Sequence, residues 1–138
     1  MAWLPEAVSG FAPLSKLDGA GILAGMADST DNRAQFLYRI VPKRADMLVT
    51  GPTEHEMQVM GVHFAHLQKL AADGVVLMAG RTLVAGPDTF GIVVFKAASP
   101  ADAEAVMRSD PAIAQGLMHC ELFPYRVAVW ADGFRLGA

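Results

Sequence analysis

From residue 36 onward, apolar and polar positions follow two distinct periods. Residues 36–41, Phe-Leu-Tyr-Arg-Ile-Val, are aromatic and β-branched and predict a first strand stopped by Pro42. A loop with Lys43, Arg44 and Asp46 leads to Gly51-Pro52, and then the period changes. Met57, Met60, Phe64, Leu67 and Ala71 recur at three- and four-residue intervals, one stripe of an amphipathic helix that should face the core. Thr53 and Glu56 stand at the spacing of a capping box, with Glu54 and Glu56 at the positive end of the dipole, and Asp73-Gly74 closes the helix with a residue suited to the left-handed cap.

The strand period returns at 75–83 and 91–97 around the turn Gly86-Pro87-Asp88, predicting a hairpin. Ser99, Pro100 and Asp102 supply an N-cap, an N1 proline and an N3 acid for a second helix to about Arg108, ended ahead of Asp110-Pro111. Residues 112–118 read as a short helical turn, and 121–130 as the last strand, with Phe123, Tyr125, Val127 and Val129 on one face. The order strand, helix, strand, strand, helix, strand predicts an α+β, ferredoxin-like βαββαβ fold, a four-stranded antiparallel sheet with both helices on one face. Ile92-Val93-Val94-Phe95 is apolar on both alternating faces, so the second face also needs cover. A symmetric second copy is the simplest cover, giving a homodimer through sheet faces.

Residues 1–35 hold no period for three turns and predict an N-terminal extension, with a ferredoxin-like domain over 36–131 and a C-terminal tail over 132–138. The extension contains Gly19-Ala20-Gly21-Ile22-Leu23-Ala24, which matches a dinucleotide fingerprint in letters but lacks the preceding strand that the fingerprint needs. With 138 residues, 53% apolar and 18% charged, the chain has the length and composition for one globular domain with a real core. A net charge of −3 with scattered basic residues argues against nucleic acid as a partner. No apolar run is long enough to span a bilayer, and Glu6 and Asp18 spoil a leader peptide, so no membrane partner is expected. With Cys120 as its only cysteine, the chain is expected to be cytoplasmic.

His63 and His66 lie on the same helix. On the expected stripe, at ~100° per residue, His63 falls roughly 70° from the centre and His66 roughly 130° away, placing His63 at the core edge and His66 in solvent. A histidine at the border of a cleft suits proton transfer, and Asp110, held before Pro111, is a candidate to orient it. The competing readings are a hydrogen-bonded structural histidine and a turn-forming aspartate. A metal set of His63, His66, His119 and Cys120 is the rival chemistry, opposed by the outward His66 and by the opposite faces of His119 and Cys120. The eight methionines suit either core filling or an adaptable pocket in a binding module without catalysis.

The run from His63 through Lys69 and Leu70 to Gly74, the strand Val75-Val76-Leu77-Met78-Ala79-Gly80, the segment Gly91-Ile92-Val93-Val94-Phe95, and Asp110-Pro111 ahead of the last strand together resemble the YciI-like (YCII-related) family. The resemblance covers about two-thirds of the chain and excludes residues 1–35. It implies a dimeric α/β barrel and a His/Asp pair in a pocket. His63 is the histidine at the family's spacing from the helix-ending glycine, and Asp110 is its aspartate before proline. It further implies acid/base chemistry of isomerase or lyase/dehalogenase type on a small carbonyl or lactone acid, since some members resemble muconolactone isomerases and chloromuconolactone dehalogenases. Apart from the resemblance, Arg81 at the end of the second strand is a candidate to pair with a substrate carboxylate, the competing reading being a solvated strand-end charge. No resident cofactor is expected, and a heme-binding module is the alternative suggested by relatives of the same barrel type.

Overall fold

The computed structural model describes residues 33–132. The dinucleotide-like stretch 19–24 therefore lies outside the described residues, as do residues 133–138. Four strands form one antiparallel sheet: β1 (Ala34–Pro42), β2 (Val76–Arg81), β3 (Gly91–Ala97) and β4 (Met118–Pro124), in the order β2-β3-β1-β4. Helices α1 (Glu54–Ala72) and α2 (Pro100–Ser109) provide the crossovers, and a single helical turn, α3 (Pro111–Ala114), precedes β4. The fold is α+β and ferredoxin-like. Among the described residues no helix is long and apolar enough to cross a membrane.

The register explains which face is buried. Phe36 opposite Phe95, Tyr38 opposite Val93 and Ile40 opposite Gly91 put one set of side chains on the helix-covered face. There they join Leu67 of α1, Ala103 and Met107 of α2, Ala112 of α3 and Met118 of β4 in one cluster. Phe95 lies at the centre, its ring 5.6 Å from that of Tyr38 in an edge-to-face contact.

Helix α1 begins as expected. Thr53 Oγ1 accepts from the Glu56 N–H, and Glu56 accepts from the Thr53 N–H, which completes the capping box. Gly74, at φ +79°, ends the helix in the left-handed conformation. The buried stripe differs from the expected one. Glu56, Val59, His63 and Leu67 face the core, whereas Met57 and Phe64 are 59% and 62% exposed. At 100° per residue the helix is rotated by roughly 80° from the orientation that its apolar residues suggest. Glu56 and His63 tolerate burial because each has a strong hydrogen-bonding partner, so counting apolar positions alone misplaces the face. His63 is consequently at the middle of the buried stripe rather than its edge. His66 is half-buried rather than solvent-facing, with Nε2 3.5 Å from Ser109 Oγ.

The last strand is shifted too. β4 starts at Met118 and ends at Pro124, where the chain reaches the start of β1 and Pro124 has no N–H to continue the ladder. Beyond it, the Tyr125 N–H donates to the Gln35 carbonyl and the Val127 N–H to the Gln35 side chain. Tyr125, Val127 and residues 129–131 then border, with Met78, Ile92 and Val94, a cavity of about 340 Å³ on the second face of the sheet. Part of the cover expected from a second copy thus comes from the same chain. The β1–β4 half of that face carries Arg39 and Glu121, 3.8 Å apart, and the partly exposed Phe123.

Candidate functional site

Two local features bring one acid and one imidazole together. α1 presents His63 inward two turns beyond its capping box. Asp110 ends α2 and begins α3: with Pro111 next, it takes an extended conformation (φ −65°, ψ 122°) that breaks the helix. Its carboxylate turns back as an N-cap, Oδ1 accepting from the Ala112 N–H at 2.9 Å. The same Oδ1 lies 2.6 Å from His63 Nδ1, and the Tyr38 hydroxyl donates to Oδ2 at 2.5 Å. Asp110 is 0% exposed, Tyr38 1% and His63 7%.

The electrostatics follow from these contacts. Burial pushes the Asp110 carboxyl upward, but the hydrogen bonds from His63 and Tyr38, the charge of His63 and the Ala112 N–H outweigh it and hold the group below the ordinary carboxylate range. Burial first, then the Asp110 charge and hydrogen bond, push the Tyr38 phenol far above its ordinary value, so it remains a donor. An ionised carboxylate only accepts, so the 2.6 Å contact requires the proton on His63 Nδ1. In the neutral ring Nε2 then carries the lone pair, and among the described residues it has no hydrogen-bond partner.

His63 lines a cavity of about 640 Å³ between α1 and the β2 side of the sheet. Its walls are mostly apolar. Met57, Met60 and Phe64 come from α1, Met47 and Leu48 from the 3-10 turn Ala45–Leu48. The exposed side of the helix stripe therefore forms a cavity wall. Arg81 also lines the cavity, from the end of β2; its Nη1 donates to the Thr82 carbonyl, and no carboxylate pairs with it among the described residues. At Gly91, also lining the cavity, an added Cβ would lie 3.2 Å from the Gly80 carbonyl oxygen and 3.3 Å from Ile40 Cγ1, so the strands close tightly there.

The structure thus brings His63 and Asp110 into contact and sets Arg81 on the same cavity. The alternative metal set is not gathered. His119 pairs with Val41 on the second face and Cys120 with Ile40 on the helix face, and no cluster of three potential ligands occurs among the described residues. Sequence reading missed Tyr38, which alternation with Phe36 and Ile40 assigns to plain core. The available signal is that a buried tyrosine hydroxyl needs a partner. No curated protein matches the chain. The model of the YCII-related domain matches residues 35–126, about two-thirds of the chain and all of the four strands except Ala34 at the start of β1, and the chain belongs to the YCII-related family.

Proposed function

We propose that this protein is a small-molecule enzyme in which His63 and Asp110 perform acid/base chemistry on a small carbonyl acid. Neutral His63 takes a proton through Nε2 from the carbon next to the carbonyl. Asp110, fixed on Nδ1, stabilises the imidazolium that forms. Return of the proton to another carbon of the substrate is an isomerisation; departure of a leaving group from the neighbouring carbon is an elimination of lyase or dehalogenase type. Arg81 pairs with the substrate carboxylate, and the carbon body lies on the methionine-rich wall. The single observation that carries this reading is the asymmetry of the His63 ring: Nδ1 is committed to a buried carboxylate, and Nε2 is left without a protein partner on a ring that lines the cavity.

The functional unit in this reading is the domain expected over 36–131, extended at its start by Ala34 and Gln35, which belong to β1, with the residues before them as an extension and 132–138 as a tail. It works in the cytoplasm as a homodimer through sheet faces, supported by the apolar and charged groups left on the β1–β4 half of the second face. Light scattering on the full chain reports that assembly directly.

The chemistry is testable before a substrate is known. Proton abstraction next to a carbonyl exchanges hydrogen for deuterium in D₂O, which NMR detects across a panel of small keto acids and lactone acids. Wild-type protein should catalyse exchange in at least one class, and His63→Ala should slow it about 10²- to 10⁴-fold, the usual contribution of a positioned acid/base group. Undiminished exchange by a folded His63→Ala variant would sink the assignment.

A further inference from the structure

Tyr38 has no part in the proton transfer just described, yet it is buried almost as deeply as Asp110 itself. It comes from the middle of β1, 72 residues from Asp110 in sequence, and its hydroxyl ends on Asp110 Oδ2 at 2.5 Å. Its ring is held independently, edge-on to Phe95 at 5.6 Å. The hydroxyl is therefore aimed by core packing, not by the carboxylate it meets.

The carboxylate has three donors. His63 and the Ala112 N–H share Oδ1, and Tyr38 alone serves Oδ2. Without the tyrosine, Oδ2 would be a buried anionic oxygen with no protein donor, costly to leave ionised and free to seek another partner by rotation. We infer that Tyr38 is a positioning residue of the His63–Asp110 pair: its hydroxyl locks the carboxylate in place, which keeps Oδ1 on His63 Nδ1 and leaves Nε2 for the cavity. The inference rests on the acid/base role of His63 proposed above. The titratable groups around the carboxyl are His63 from α1, Tyr38 from β1 and, beyond the tyrosine, Cys120 from β4, on which the Arg108 guanidinium of α2 lies at 3.6 Å.

Tyr38→Phe removes the hydroxyl and retains the ring. Two readouts separate a positioning role from core filling. The first is the titration of the Asp110 carboxyl followed by ¹³C NMR, with Phe95→Leu as a control that disturbs the same ring packing but leaves the hydroxyl bond. Loss of a donor to the charged form should raise the Asp110 midpoint by about one pH unit in Tyr38→Phe, with little movement in Phe95→Leu. The second is deuterium exchange on an acid that wild type processes. Tyr38→Phe should lower kcat about tenfold with KM held, and shift the acid limb of the rate profile upward as Asp110 protonates at higher pH and releases the ring.

An unmoved Asp110 midpoint in folded Tyr38→Phe, or an equal shift in Phe95→Leu, overturns the inference. So does a change confined to KM. The carboxyl titration needs no substrate, so its result stands apart from the His63→Ala exchange test: a shifted midpoint beside exchange-competent His63→Ala would retire the catalytic reading and keep the hydrogen-bond lock.

Discussion

Two buried polar residues lie two turns apart on the same face of α1, and they are satisfied differently. Glu56, near the start of the helix, has both oxygens occupied: Oε2 accepts from Arg44 Nε at 2.8 Å, and Oε1 from Arg44 Nη2 at 2.6 Å and from the Thr53 N–H at 2.8 Å. Arg44 Nη2 donates in addition to the Gly51 carbonyl, which fastens the preceding loop to the helix. His63 is as deeply placed, but only one of its two nitrogens is engaged. A buried polar group whose every atom has a protein partner reads as architecture. One that keeps an unspent atom on a cavity is a candidate for chemistry, because that atom's partner must be water or a ligand.

The largest test of this contrast is Asp110→Ala. It strands the Tyr38 hydroxyl, the Ala112 N–H and the His63 ring together, and should cost about 3–5 kcal/mol of stability, measured by urea unfolding. A loss below about 1 kcal/mol would mean that water satisfies these donors and that the pair is looser than its geometry.

Acid should attack both clusters in the same direction. Glu56 is lowered from 4.5 to about 2, chiefly by the hydrogen bond from Arg44 and then by the Thr53 N–H, and Asp110 is lowered as well. A carboxylate depressed in the folded state stabilises the fold fully above its unfolded value, and that contribution is lost as pH falls through the folded value. Thermal unfolding should therefore be level down to about pH 4.5 on the Glu56 account and then decline towards pH 2. Stability that holds constant from pH 5 to pH 2 would show that neither carboxylate is held as described.

Thr53→Ala sharpens the comparison from the architectural side. Loss of the cap should cost about 1 kcal/mol, with deuterium exchange by His63 unchanged. The smallest stability effect belongs to Phe64→Ala. Its ring is mostly exposed, so unfolding should move by no more than about 0.5 kcal/mol, while KM rises if the ring forms the substrate wall. An unfolding loss of several kcal/mol at Phe64 would instead place that ring in an interface or core.

Local grammar made much of this legible. Capping signals at Thr53/Glu56 and Ser99/Asp102 located both helices, and the Asp110-Pro111 break was visible as a break. The hairpin and the element order were sufficient for the ferredoxin-like topology. The orientation of α1 was less accessible. Its methionines and Phe64 advertise a core stripe, but they are spent on a cavity wall, and two of the four buried positions go to a glutamate and a histidine. Hydrophobic periodicity registers apolar side chains and cannot register that a polar one has found its partner.

What the sequence by itself determined is the set of elements, their order and the family, because caps, turns and alternation act over a few residues and need no distant contact. It also singled out His63 and Asp110, through helix position, the proline that follows Asp110 and the family spacing. Only the tertiary structure decided that these two touch at 2.6 Å, that Tyr38 completes their site from 72 residues away, and that α1 turns Met57 and Phe64 outward. Those outcomes depend on which donors meet which acceptors across the sheet, and that pairing is fixed by packing at long range.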